Sequence, residues 1–161
     1  MRFGLFGINN GALADPDSMV RAAQAAEAVG FDSVWTGEHV VLPDPQAPPS
    51  PAPPHLAMLD PAVALAYIAA HTTTIALATG IIILPQRNPL VLAKEMASVD
   101  VVSKGRLWFG YAAGYLHQEF AALGIPFEDR GARCDEYLEA MLELWGSESP
   151  TFAGETIRFS G

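Results

Sequence analysis

Apolar and polar positions fall into blocks along this chain, and the block from residue 75 to residue 114 is the most informative. Residues 75–84 (IALATGIIIL) form an almost unbroken apolar run rich in β-branched side chains. Such a run predicts a strand covered on both faces. Pro85 ends it, and Asn88-Pro89 then supplies a helix N-cap followed by proline at the first helical position. Leu90, Ala93, Ala97 and Val101 recur at helical spacing and predict one apolar face. Ser103-Lys104-Gly105 stops the helix, and residues 106–111 predict a second buried strand. Two buried strands joined by one helix make a βαβ unit, whose strands run parallel.

The same grammar appears upstream. Residues 3–8 predict a short strand, and Asp15-Pro16 opens a helix with an apolar stripe of Met19, Ala22, Ala23 and Ala26. Gly30 closes that helix, residues 33–41 predict another strand, and Asp60-Pro61 opens a third helix running through Ala70. An Asx-Pro helix start therefore follows a strand three times. A last long helix over residues 130–145 carries Cys134, Tyr137, Leu138, Met141 and Trp145 on one face, and residues 151–159 predict a hairpin around Ala153-Gly154. Four strands alternating with helices predict an α/β fold with a parallel sheet.

Composition narrows the class. The chain has 161 residues, half of them apolar, enough for one globular domain with a core. No apolar run is long enough to span a bilayer, and the N-terminal apolar stretch is too short for a signal peptide. The single cysteine, Cys134, lies on an apolar stripe and reads as a buried core thiol in a reduced, cytoplasmic protein. With a net charge of −9 and scattered basic residues, nucleic acid and anionic membranes are not expected partners. Residues 43–56 (PDPQAPPSPAPPHL) hold seven of the thirteen prolines. They read as a long loop, either a stiff spacer or a lid over the strand ends.

Several phrases stand in one order: Gly30-Phe31-Asp32-Ser33-Val34-Trp35, Glu38-His39-Val40, Thr79-Gly80-Ile81, Arg87-Asn88-Pro89, Ser103-Lys104-Gly105-Arg106-Leu107, Glu119-Phe120, and Arg130-Gly131-Ala132-Arg133 with Glu136-Tyr137-Leu138. Together they make the chain resemble the bacterial luciferase-like monooxygenase superfamily, most closely its branch that uses the deazaflavin coenzyme F420. The resemblance covers essentially all residues. It implies a (β/α)8 TIM-barrel fold of which only the first four β/α units are present, a half-barrel. Residues 1–161 then form one incomplete domain, with residues 151–161 beginning an insertion. A half-barrel leaves an apolar inner layer and two strand edges unpaired, so a homo-oligomer or a C-terminal half-barrel is the expected partner.

The implied activity is an oxidoreductase that moves hydride between F420 and a small organic substrate. The alternatives are an FMN-dependent monooxygenase and a non-catalytic half-barrel that binds flavin or assembles with another chain. An aldolase or isomerase barrel is a weaker rival, because no lysine sits on a predicted strand. His39 ends the second predicted strand beside Glu38. On its own it reads as a packed or solvent-facing histidine, or as a proton donor, since imidazole titrates near neutrality. The resemblance implies that Glu38 and His39 are catalytic and face the deazaflavin; the usual acid there is Asp, and Glu38 departs from it. Gly80 inside a β-branched run suggests a packing glycine, a bulge or close approach by a ligand. The resemblance implies cofactor binding by Thr79, Gly80, Ile81, Ala113, Gly114 and Tyr115, with a non-prolyl cis peptide at Gly80–Ile81. Ala112 and Ala113 stand where relatives carry Gly or Thr, and Tyr115 where some carry a catalytic acid. His117 and Glu119 read as solvent-facing or structural. No His/Cys/Asp/Glu spacing matches a metal site.

Overall fold

The computed structural model describes all residues from 1 to 161. Six short strands build its parallel part: β1 (Gly4–Phe6), β2 (Ser33–Thr36), β3 (Ala76–Thr79), β4 (Ile82–Ile83), β5 (Leu107–Trp108) and β6 (Tyr111–Ala112). The main sheet has the order β1-β2-β3-β5, and β4 pairs in parallel with β6 beyond it. The helices are α1 (Pro16–Ala28), α2 (Pro61–Ala69), α3 (Pro89–Ser103), α4 (His117–Leu123) and α5 (Arg130–Gly146). A terminal antiparallel hairpin, β7 (Thr151–Ala153) and β8 (Arg158–Ser160), completes the chain. No helix is long and apolar enough to cross a membrane.

The three Asx-Pro starts all cap helices. Asp15 accepts from the Ser18 amide, Asp60 from the Val63 amide, and Asn88 from the Leu90 and Val91 amides. Each replaces one of the helix's unpaired N–H bonds, and proline at N1 loses no donor the helix needed. At the far end of α3, Lys104 and Gly105 both adopt positive φ and turn the chain into β5.

The register sorts side chains onto two faces. Leu5, Val34, Leu77 and Leu107 are successive partners across the sheet and point under the helices. There they join a core cluster with Met19, Leu65, Ile68, Leu92 and Met96. Burying each such side chain stabilises the fold by about 1.5–3 kcal/mol. The next row, Phe6, Trp35, Ala78 and Trp108, lies on the opposite face. No helix covers it: Phe6 is 63% exposed and Trp108 40%.

Two charged side chains tie down the start of β3. Below it, the Glu27 carboxylate accepts the amides of Thr73, Thr74 and Ile75 at 2.9, 2.6 and 2.9 Å. The Arg106 guanidinium donates to Thr72 Oγ1, to Ile75 O and to Ala69 O at 2.9–3.0 Å, joining the end of α2 to the start of β3.

Four expectations need correction. The second strand stops at Thr36 rather than running to Val41, because the Asn9 side chain takes both backbone groups of Gly37 that a neighbouring strand would have used. The predicted strand over residues 75–84 divides into β3 and β4, with a cis peptide at Gly80–Ile81 between them. The strand over residues 106–111 divides likewise into β5 and β6. Both breaks are bridged by Thr79, whose hydroxyl donates to Gly110 O and accepts from Gly110 N. Finally, α3 buries Leu92, Ala93, Met96 and Val99, while Val101 is 75% exposed. This helix is apolar on most of its surface, so residue spacing alone does not choose its inward face.

Candidate functional site

A cavity of about 660 Å³ opens at the C-terminal ends of the parallel strands. Such strand ends are where ligands bind in parallel α/β sheets. One wall consists of Gly80, Ile81, Ala112, Ala113 and Gly114. His39 and Tyr115 form another side, with their rings edge to face at 6.1 Å. Pro51, Ala52 and Leu56 from the proline-rich loop, with Met58, close a third.

Seven of the eight residues singled out from sequence line this cavity: Glu38, His39, Gly80, Ile81, Ala113, Gly114 and Tyr115. Thr79 does not. It is fully buried, and its hydroxyl is occupied by Gly110. It shapes the wall from behind.

Glycine at position 80 is required by neighbours within the chain. A Cβ there would lie 3.0 Å from the Trp35 ring and 3.2 Å from the Thr36 carbonyl. Gly114 combines φ +80° with a Cβ position only 2.6 Å from Ile83 Cγ2. Both glycines keep the wall thin by packing against side chains behind it, and Arg130 Nε fixes the Gly114 carbonyl at 3.1 Å.

Glu38 and His39 are adjacent in sequence but have different surroundings. One Glu38 oxygen accepts from Arg87 Nε and Nη2, and the other accepts the Ile83 amide at 2.5 Å. Arg87 also binds Asp60, the cap of α2, and approaches Glu95 on α3 at 3.6 Å. Burial raises the Glu38 pKa, opposed by Arg87 and the Ile83 amide. Burial likewise works against the Arg87 charge, but Glu38 and Asp60 outweigh it and raise the guanidinium's pKa. The cluster pins β4 to the loop after β2, and it leaves Glu38 no oxygen free of a donor. The geometry thus makes Glu38 an anchor of the wall rather than a free acid.

His39 lies in the loop after β2, not in the strand. Its amide donates to Met58 Sδ at 3.2 Å, and its ring Nδ1 lies 3.3 Å from Glu119 Oε2. Glu119 was expected to be solvent-facing or structural. It is 1% exposed and grips the His39 loop, accepting the Val40 amide at 2.5 Å and the Val41 amide at 3.3 Å. Sequence reasoning missed it because the pair is separated by 80 positions and no local spacing joins them. Arg87 was noticed as part of a phrase but given no role; the signal was the buried Glu38, which needs a cation.

These features fit what the comparisons with known proteins found. The sequence profile of the luciferase-like monooxygenase family matches residues 1–161. The chain is 33% identical over 144 residues to an F420-dependent glucose-6-phosphate dehydrogenase of Amycolatopsis mediterranei, covering 87% of this chain and 41% of that protein. It is 31% identical over 131 residues to the oxygenase component of a flavin-dependent trigonelline monooxygenase of Acinetobacter baylyi, covering 80% and 33%. The crystal structure of a monooxygenase from Streptomyces bottropensis superposes with a TM-score of 0.82 at 32% identity, covering 99% of this chain and 47% of that one. The chain spans about half the length, or less, of the curated relatives it matches. It belongs to the luciferase-like monooxygenase family.

Proposed function

We propose that this family member is an oxidoreductase that seats the flat ring of coenzyme F420 against the wall of Gly80, Ile81, Ala112, Ala113 and Gly114. Hydride would pass to or from a small organic substrate. The observation that carries the reading is this thin, apolar wall standing in one cavity with the His39 imidazole, a ring that can give and take a proton. A tricyclic ring needs a broad apolar surface without a free charge, and Glu38 is neutralised there by Arg87. When bound, the deazaflavin supplies the hydride chemistry. The chain's own residues hold its ring, exclude water with the proline-rich loop, and exchange a proton at the His39 ring.

F420 is preferred because Glu38-His39 and Arg87-Asn88-Pro89 resemble the F420 branch, and an F420-dependent relative is among the matches. FMN is the alternative, supported by the flavin-dependent relative. The fold is read as the first half of a (β/α)8 barrel. The uncovered row of Phe6, Trp35 and Trp108 and the free edges of β1 and β5 support that reading. They would be covered by further strands or by a second copy of the chain. The same open face favours a second reading, a non-catalytic half-barrel that binds flavin or assembles with another chain.

Titrating F420 and FMN separately, following the fluorescence of each, tests the proposal. F420 should bind more tightly, and its amide shift changes should fall on Gly80, Ile81, Ala113 and Gly114. Tight FMN binding with none to F420 reverses the cofactor assignment. Binding without turnover of either cofactor in the complete protein favours the non-catalytic reading.

A further inference from the structure

The buried Glu119 carboxylate holds three consecutive residues, His39, Val40 and Val41. Oε1 takes the Val40 and Val41 amides, and Oε2 faces His39 Nδ1 at 3.3 Å. The side chain has no exposed surface, whereas His39 keeps 12% of its own. Burial works against the Glu119 charge, but the His39 ring, the Gln86 side-chain amide and the Val40 amide outweigh it and hold the carboxyl below the usual range. An ionised carboxylate only accepts hydrogen bonds. The His39 nitrogen facing it must therefore be the protonated one.

The other groups near His39 do not compete for that nitrogen. Met58 sulfur takes its backbone amide, Tyr115 meets the ring edge to face, and Glu38 is engaged by Arg87 and Ile83. The ring's Nε2 makes no hydrogen bond within the chain, and His39 lines the cavity.

We propose that Glu119 is a positioning residue for His39: it fixes the Nδ1–H tautomer and the loop at residues 39–41, so that Nε2 is the atom exchanging a proton with a ligand in the cavity. This rests on the oxidoreductase reading for its purpose, but not for its geometry. The physical logic is that the hydrogen bond at one imidazole nitrogen decides which nitrogen is free to act. A buried carboxylate behind a catalytic histidine does this in other enzymes of unrelated fold.

The substitution Glu119→Gln separates the possibilities. Its amide oxygen can still accept the Val40 and Val41 amides, so the loop stays anchored. Its NH2 group would then face Nδ1 and demand an acceptor, which drives the proton to Nε2. Nitrogen-15 shifts of the histidine side chains, with His39 assigned by loss of its signal in His39→Asn, read this directly in the present chain. Wild type should carry the proton of neutral His39 on Nδ1, and Glu119→Gln should carry it on Nε2. An Nε2–H tautomer in wild type, or the same tautomer in both, overturns the proposal. The wild-type spectrum alone decides if the variant does not fold. In the complete protein, Glu119→Gln should lower kcat roughly tenfold or more with KM little changed. A tautomer switch with unchanged kcat would refute the link to proton exchange. Absence of turnover in wild type with either cofactor would refute the oxidoreductase reading while leaving the tautomer result standing.

Discussion

Glu27 and Glu119 perform the same local task at opposite ends of the sheet. Each is a helix-borne carboxylate that collects the amides of a neighbouring loop. Glu27, near the end of α1, binds the segment entering β3; Glu119, in the first turn of α4, binds the segment leaving β2. The difference lies in what else they touch. Glu27 adds only the Thr74 hydroxyl at 3.0 Å and sits near the surface. Glu119 adds the ring of His39 and is buried beside a cavity. One device thus serves two ends: at the entry of the strands it closes a turn, and at their exit it sets the chemistry of a side chain. Parallel barrels divide labour in the same way, with stability at one end and ligands at the other.

The strongest test of this division is at the exit end. In the complete protein, His39→Ala should lower kcat by about 100-fold or more while substrate KM changes little, because proton exchange is felt chiefly in the transition state. The variant should melt within a few degrees of wild type. An unchanged rate would remove His39 from the mechanism, and a large loss of stability would show that the exit end also carries the fold.

The opposite outcome is expected at the helix-covered face. Leu77→Ala truncates a fully buried side chain in the central strand. It should cost about 2–5 kcal/mol, read from chemical denaturation. Phe6→Ser, on the uncovered face, should cost the isolated chain far less and instead reduce its self-association in sedimentation, where species above 17.2 kDa are expected. A stable wild-type monomer at high concentration would argue against the covered inner layer proposed for this face.

How far the fold was legible in the sequence differs between its helix boundaries and its cavity. The helix boundaries were written in local signals at both ends of the strands. Asp15-Pro16, Asp60-Pro61 and Asn88-Pro89 start their helices after strand exits as expected, and Ser103-Lys104-Gly105 stops one before β5, because caps and turns depend on adjacent residues. The cavity depends on contacts across long separations. Asn9 ends β2 from 28 positions away, Thr79 holds Gly110 from 31, and Glu119 reaches His39 from 80. No periodicity encodes these bonds. The lining residues were nonetheless reached, because the resemblance carried them; the carboxylate behind them was not, since it stands behind His39 and does not line the cavity itself. Glu38, chosen for its place beside His39, is the instructive contrast. Adjacency put both residues at the cavity, but Arg87 and the Ile83 amide engage both oxygens of the carboxylate.

The smallest expected effect concerns Glu27 itself, and its sign follows from linkage. Burial works against the Glu27 charge, but the amides of Thr74, Ile75 and Thr73 outweigh it and lower the pKa from 4.5 to about 2. Between those values the unfolded chain binds the proton more readily than the folded one, so stability falls as pH falls. The contribution is fully present above the unfolded value and is lost as pH drops toward the folded one. Because the carboxylate lies near solvent, screening reduces the contribution to on the order of 1 kcal/mol. Glu27→Gln should therefore lower the urea midpoint at pH 7, and the gap to wild type should narrow steadily from pH 5 towards pH 3. Added salt should narrow it as well. A gap independent of pH would mean that the turn is held by the shape of the side chain and not by its charge. The pairing with Glu119 would then break at its weaker member, leaving Glu119 as the member of the pair that holds its loop by charge.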